Sequence, residues 1–334
     1  MDALAAAGYP RLMMKDAPKV ADALADSWVY RLLPTGLWPY AQLARWERPI
    51  GWWLLLWPCW WSLALAVHAA NAQGVVKLSL SEFVLLCILF LLGAASMRGA
   101  GCTYNDLVDV DLDAKVTRTA SRPIPSGRVS KAQAAQFMVA QALAGFLVLL
   151  ALCLIGPGFN LFAFVLAIAS LLVVALYPFA KRVMDWPQLV LGLAFSWGAL
   201  MGWAVVFERL HAAPLLLYLG SILWVIGYDT IYAHQDREDD ALIGVRSTAR
   251  LFGERTKQAL WLLYCGTLAL FVLAFLAASS GPIAYAGLLI GAGHMMWQIK
   301  KLNIHDADTC LRLFRSNSTF GWIVFAGLVA DLLL

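Results

Sequence analysis

Apolar runs of membrane-spanning length recur along nearly the whole of this chain, and no other feature narrows its fold so far. About 20 apolar residues cross the roughly 30 Å of bilayer hydrocarbon as a helix. Nine such runs are present, near 50–70, 82–104, 132–155, 158–178, 185–207, 212–233, 257–278, 281–299 and 318–334. The chain is 61% hydrophobic and 14% charged, whereas soluble domains are about half apolar and about a quarter charged. A soluble fold of this length has nowhere to hide that excess. The expectation is an all-α, polytopic membrane protein of nine transmembrane helices. Gly156-Pro157 and Gly281-Pro282 mark tight turns between antiparallel helices. No linker divides residues 41–334, which read as one domain behind an N-terminal extension, residues 1–40.

Charge placement orients the spans. With nine helices, one side receives the N-terminal segment and the loops near 105–131, 179–184, 234–256 and 300–317. Of the 25 Lys and Arg, all but Lys77 and Arg209 fall on that side. The positive-inside rule makes it the cytoplasm and puts the C-terminus outside. The first 35 residues carry Asp2, Asp16, Asp22 and Asp26, unlike an acid-poor transit peptide, so the expected location is a bacterial inner (plasma) membrane. The formal charge of +4 is modest; the lipid bilayer is an expected partner and nucleic acid is not. The six cysteines show no CxxC spacing and the five histidines no ligand spacing, so neither disulfides nor zinc are expected.

The acids are the exception to the apolar pattern, and they fall on the cytoplasmic side. Asn105, Asp109 and Asp113 recur every four residues and share one helical face, with Arg98 two turns earlier on it. Asp106 sits at the edge of that face and Asp111 points away. Asp229, Asp236 and Asp240, spaced seven and four, form a second stripe. Stacked like charges destabilise a helix unless cations lie between them. Hard oxygen ligands of this kind suit Mg²⁺, which combines a few carboxylates with phosphate oxygens and water. The pattern therefore points to a diphosphate held through metal, with Lys115, Arg118, Arg122 and Arg246 placed to grip its oxygens. Each acidic cluster is followed by Arg-Thr or Arg-Ser-Thr (Arg118-Thr119; Arg246-Ser247-Thr248), an echo of internal duplication. Solvated loop charges are the bland alternative for the acids, and a snorkelling side chain the alternative for Arg98.

At these residues the chain resembles the membrane prenyltransferase superfamily, marked by an NDxxDxxxD motif and a later DxxxD motif. Asn105 to Asp113 match the first and Asp236 to Asp240 the second. The chain is most similar to the 4-hydroxybenzoate polyprenyltransferases of ubiquinone biosynthesis. That likeness rests on Arg48-Pro49-Ile50-Gly51, Leu55-Leu56-Trp57-Pro58, Arg118 to Pro123, Pro125-Ser126-Gly127, Tyr228 to Ala233 and the YxxxK pattern from Tyr177 to Lys181. It covers about residues 45 to 325. The resemblance implies nine helices around a central cavity, capped by the Asp-rich loops, with Mg²⁺ bridging a polyprenyl diphosphate. It carries metal binding onto Asn105, Asp109, Asp113, Asp236 and Asp240, with Asp106 in support. It places Lys181 and Tyr177 near the diphosphate and the bond that breaks, and turns Arg98 toward the carboxylate of 4-hydroxybenzoate.

The implied reaction is electrophilic aromatic substitution at the ring carbon ortho to the hydroxyl. Other acceptors within the superfamily (a naphthoate, haem, a chlorophyll precursor) remain alternatives. So does a divalent-cation transporter, although its acids belong at mid-membrane depth rather than at helix ends.

Overall fold

The computed structural model describes residues 27–75, 78–114, 119–156, 158–236 and 246–334, without the side chains of Leu112, Lys181, Arg182 and Asp236. Lys115, Arg118 and Asp240 lie outside the described residues, as does Pro157 of the first expected turn. All regular structure among those described is helical. Two short helices, α1 (Trp28–Leu32) and α2 (Trp38–Leu43), precede α3 (Ile50–Gln73) and α4 (Leu80–Val108). A single turn, α5 (Val110–Asp113), follows, then α6 (Lys131–Cys153), α7 (Leu161–Val183), α8 (Pro187–Phe195), α9 (Gly198–Phe207) and α10 (Ala212–Ala233). After a 3₁₀ turn at His234–Asp236 come α11 (Thr248–Phe252), α12 (Thr256–Ala277), α13 (Pro282–Lys301) and α14 (Ala307–Leu333).

Every expected span is helical. Among the described residues, eight segments are both long and apolar enough to cross a membrane, with α8 and α9 together as one of them. The eighth run, α13, is a helix of 20 residues but is diluted by His294, Gln298, Lys300 and Lys301, so the count of nine is not reached by this measure. The outcome is nonetheless a polytopic membrane protein, and the reason is local. A helix satisfies its own backbone polar groups, which nothing else does in hydrocarbon. Its α13 hairpin starts with Pro282 at the first turn, and Asp331 of α14 accepts the N–H groups of Gly281 (2.5 Å) and Ile283 (3.0 Å). A carboxylate is favourable at a helix N-terminus, where these donors have no helical partner.

The chain divides into two compact units: the described residues through Gly51 with Ala95–Phe146, and Trp52–Ala94 with Leu147–Leu334. In the first unit Leu43, Val110, Ile124, Val129 and Ala134 form a buried cluster, with Tyr40 edge-on to Phe137 at 5.2 Å. Residues 27–40, assigned from sequence to the extension, contribute here. Val29 is buried and Tyr30 packs edge-on against Trp38 at 5.0 Å.

The second unit is built on aromatic contacts. Trp61 of α3 meets Trp224 of α10, Phe271 of α12 and Phe320 of α14 at centroid distances of 5.1, 5.4 and 5.9 Å. Lipid tails are as apolar as these side chains, so close packing rather than water exclusion holds such helices together. Glycine makes the closest approach possible: a Cβ on Gly321 would lie 2.3 Å from the indole of Trp57.

Candidate functional site

The first acidic segment lies where α4 ends. Helical bonding continues through it, since the Asp109 N–H donates to Asn105 O (2.9 Å) and the Asp113 N–H to Asp109 O (2.8 Å). The four-residue spacing therefore does stack Asn105, Asp109 and Asp113, although the helix bends at Asp109. Asp106, Asp109 and Asp113 are 0, 1 and 7% exposed, whereas Asp111 faces out. So many buried carboxylates are costly unless compensated.

Compensation comes from within the same unit. Arg45 donates from Nη2 to Asp106 Oδ1 at 2.6 Å. Arg122 donates from Nη1 to Asp113 Oδ2 at 2.8 Å and lies 3.4 Å from Asp106 Oδ1, so one guanidinium bridges two acids. Arg122, expected on the phosphates, is thus placed among the carboxylates. Burial pushes the Asp113 carboxyl above its ordinary range against the pull of Arg122. Arg45 itself has a left-handed backbone (φ +57°), uncommon for a residue with a side chain. Gln42, beside it, donates to Tyr30 Oη (3.1 Å) and accepts from Arg128 (2.9 Å), which also binds Ser121 O (2.6 Å). Glu47 is fully buried against Arg48 (3.1 Å), and burial raises its carboxyl. Arg45 and Glu47 were missed from sequence. Their signal was a charged pair in Arg45-Trp46-Glu47-Arg48, just before an apolar run.

Arg98 sits on α4 against Gly51, the second residue of α3. A Cβ on Gly51 would lie 2.8 Å from Arg98 Nε, so glycine leaves room for the guanidinium. Gln141 of α6 donates to Thr103 Oγ1 one turn further on (3.3 Å).

In the second unit, Asp229 is half-buried near the end of α10, and Asp236 closes the 3₁₀ turn that follows. Tyr177 is half-buried on α7, with Lys181 one turn later. Arg246 lies 3.5 Å from Asp185 and from Val183 O, at an exposed position. Among the described residues no three His, Cys, Asp or Glu side chains converge to hold a metal alone. That donor set still fits Mg²⁺, which takes a few protein oxygens and completes its shell with phosphate and water. Asn105, Asp109 and Asp113 offer such oxygens on one stacked face.

Residues 55–324 match the model of the UbiA prenyltransferase family. The chain is similar to the mitochondrial 4-hydroxybenzoate polyprenyltransferase of Arabidopsis thaliana, 44% identical over 91% of this chain and 71% of that one. Its fold resembles the apo structure of a UbiA homolog from Aeropyrum pernix K1, with a TM-score of 0.66 and 24% identity over 83% of this chain and 98% of that one. A UbiA homolog from Archaeoglobus fulgidus bound to GPP and Mg²⁺ is similar with a TM-score of 0.61 and 17% identity, over 89% and 100%. At these identities the two structures establish the fold alone.

Proposed function

Because this chain belongs to the UbiA prenyltransferase family, we propose that it transfers a polyprenyl chain from polyprenyl diphosphate to 4-hydroxybenzoate, releasing diphosphate. The observation that carries this reading is 44% identity, along nine-tenths of the chain, to an enzyme named for that acceptor.

Asn105, Asp109, Asp113, Asp236 and Asp240 hold Mg²⁺, and Asp106 fixes the segment through Arg45 and Arg122. Bound Mg²⁺ supplies positive charge to the departing diphosphate. Lys115, Arg118, Lys181 and Arg246 add to that charge, and Tyr177 flanks the allylic bond. That C–O bond breaks with its electron pair going to the diphosphate oxygen. The ring carbon ortho to the hydroxyl forms the new C–C bond, and its proton passes to a carboxylate or to the diphosphate. Arg98 takes the carboxylate of the acceptor in a two-point contact, which a guanidinium provides and an ammonium does not. The apolar tail remains in the bilayer, consistent with acids placed at the ends of apolar helices.

The charged loops face the cytoplasm in this reading, and Leu334 lies outside. A bacterial plasma membrane is proposed on the acidic N-terminal residues alone. The relative named mitochondrial gives it no support. Membranes carrying the protein, incubated with Mg²⁺, 4-hydroxybenzoate and prenyl diphosphates of several lengths, should yield a product whose mass is the sum of acid and prenyl group less hydrogen. Absence of that product at every chain length overturns the reading.

A further inference from the structure

The Arg-Thr and Arg-Ser-Thr echo has a structural counterpart in each unit. In the first, the Thr119 hydroxyl, buried, donates to the backbone carbonyl of Asp113 at 2.8 Å. In the second, the Thr248 hydroxyl lies 2.6 Å from that of Thr230, the residue after Asp229. Proton bookkeeping settles the direction there. Thr230 has one hydroxyl hydrogen, and it goes to Ile226 O (2.6 Å) within α10. Thr248 is therefore the donor to Thr230. Its own N–H donates to Gln188 Oε1 on α8 at 3.0 Å, so this one residue ties α10 and α8 together. All three side chains are buried. A second tie stands one turn along α10. Thr256 gives its hydrogen to Gly253 O (2.7 Å) and so accepts from His234 Nε2 (3.0 Å). Ile226 and Thr230 of α10 and His234, just past its end, are thus spaced four residues apart, and Asp229 stands beside Thr230.

We propose that Thr119 and Thr248 are positioning residues, Thr119 bonded back onto the turn that bears Asp113 and Thr248 onto the helix that bears Asp229. The proposal rests on the metal-diphosphate reading above and extends it to residues that touch neither metal nor diphosphate. Partners behind a metal ligand set its aim, and losing one typically weakens metal binding roughly 10–100-fold. Thr248→Val is a clean test, because Thr230 keeps its bond to Ile226 and the Thr248 N–H keeps Gln188, so no buried donor is stranded.

Full-length protein in nanodiscs, wild type beside Thr248→Val, Thr119→Val and Thr248→Ser, should be assayed for both substrate KM values and the Mg²⁺ midpoint. Binding of Mg²⁺ with geranyl diphosphate should be measured by calorimetry. The expected result for each valine variant is a rise of roughly tenfold or more in the prenyl diphosphate KM and the Mg²⁺ midpoint. The 4-hydroxybenzoate KM should stay within about twofold, and Thr248→Ser should restore the wild-type values. An unchanged prenyl diphosphate KM, or equal rises in both KM values that serine does not rescue, overturns the positioning role. Should Thr248→Val fail to fold, Thr119→Val and Thr248→Ser still decide between those outcomes. A wild type that prenylates no acceptor sinks the functional reading instead, and the ties are then judged on the calorimetry alone.

Discussion

The two acidic segments read alike in sequence, yet the contacts of the described residues around them differ in chemistry. The first is locked by charge: Asp106 and Asp113 are buried against Arg45 and Arg122. Around the described part of the second, hydroxyls and an amide join Thr230, Thr248 and Gln188, while Arg246 pairs with Asp185 at the surface. Buried ion pairs bring a desolvation penalty that only good geometry repays, and losing one partner strands the other. Neutral hydrogen bonds are cheaper to bury and cheaper to lose.

The largest expected effect erases the contrast. Asp109→Asn and Asp236→Asn should each lower turnover by at least about 100-fold while leaving a folded, membrane-inserted protein. Activity assayed at limiting Mg²⁺ measures this. Near-normal turnover in either variant would remove that segment from the metal site.

Stability should then separate the two segments. Asp106→Asn breaks a buried pair and should cost about 3 kcal/mol, read as a lowered denaturation midpoint of the purified protein. Thr248→Val, which removes only a neutral bond and strands no donor, should cost about 1 kcal/mol. Equal losses would mean that the buried guanidiniums contribute no more than the hydroxyls.

Arg98 sharpens the comparison from the acceptor side. Arg98→Lys should raise the KM for 4-hydroxybenzoate roughly tenfold, about 1.4 kcal/mol, and leave the KM for prenyl diphosphate nearly unchanged. The reverse split would assign Arg98 to the diphosphate. No change in either constant would return it to a side chain that merely reaches for the membrane surface.

The smallest effect concerns the exposed pair. Arg246 and Asp185 are 48 and 58% exposed, and surface pairs are worth less than about 1 kcal/mol. Asp185→Ala should therefore leave the denaturation midpoint almost where it was. A drop as large as that of Asp106→Asn would show that the second segment also depends on charge.

The sequence by itself determined the membrane class, the helices and the first acid stripe. Hydrocarbon length and the helical repeat are local constraints, so they can be read from runs of residues. Periods of four placed Asn105, Asp109 and Asp113 on one face, and the structure keeps that stack despite the bend at Asp109. Even α13, more polar than the other spans, was legible as a helix from its flanking Gly281-Pro282 and its length. What only the tertiary structure decided is which charge meets which. Arg45 reaches Asp106 across 61 positions of chain, and no spacing rule connects residues so far apart. Arg122, expected to face phosphate, bridges Asp106 and Asp113. The Arg-Thr echo was visible as a pattern, but the hydrogen bonds that give it meaning exist only after Thr248 has been folded against Thr230 and Gln188. Backbone periodicity is written locally, whereas the pairing of buried polar groups depends on every element that brings them together.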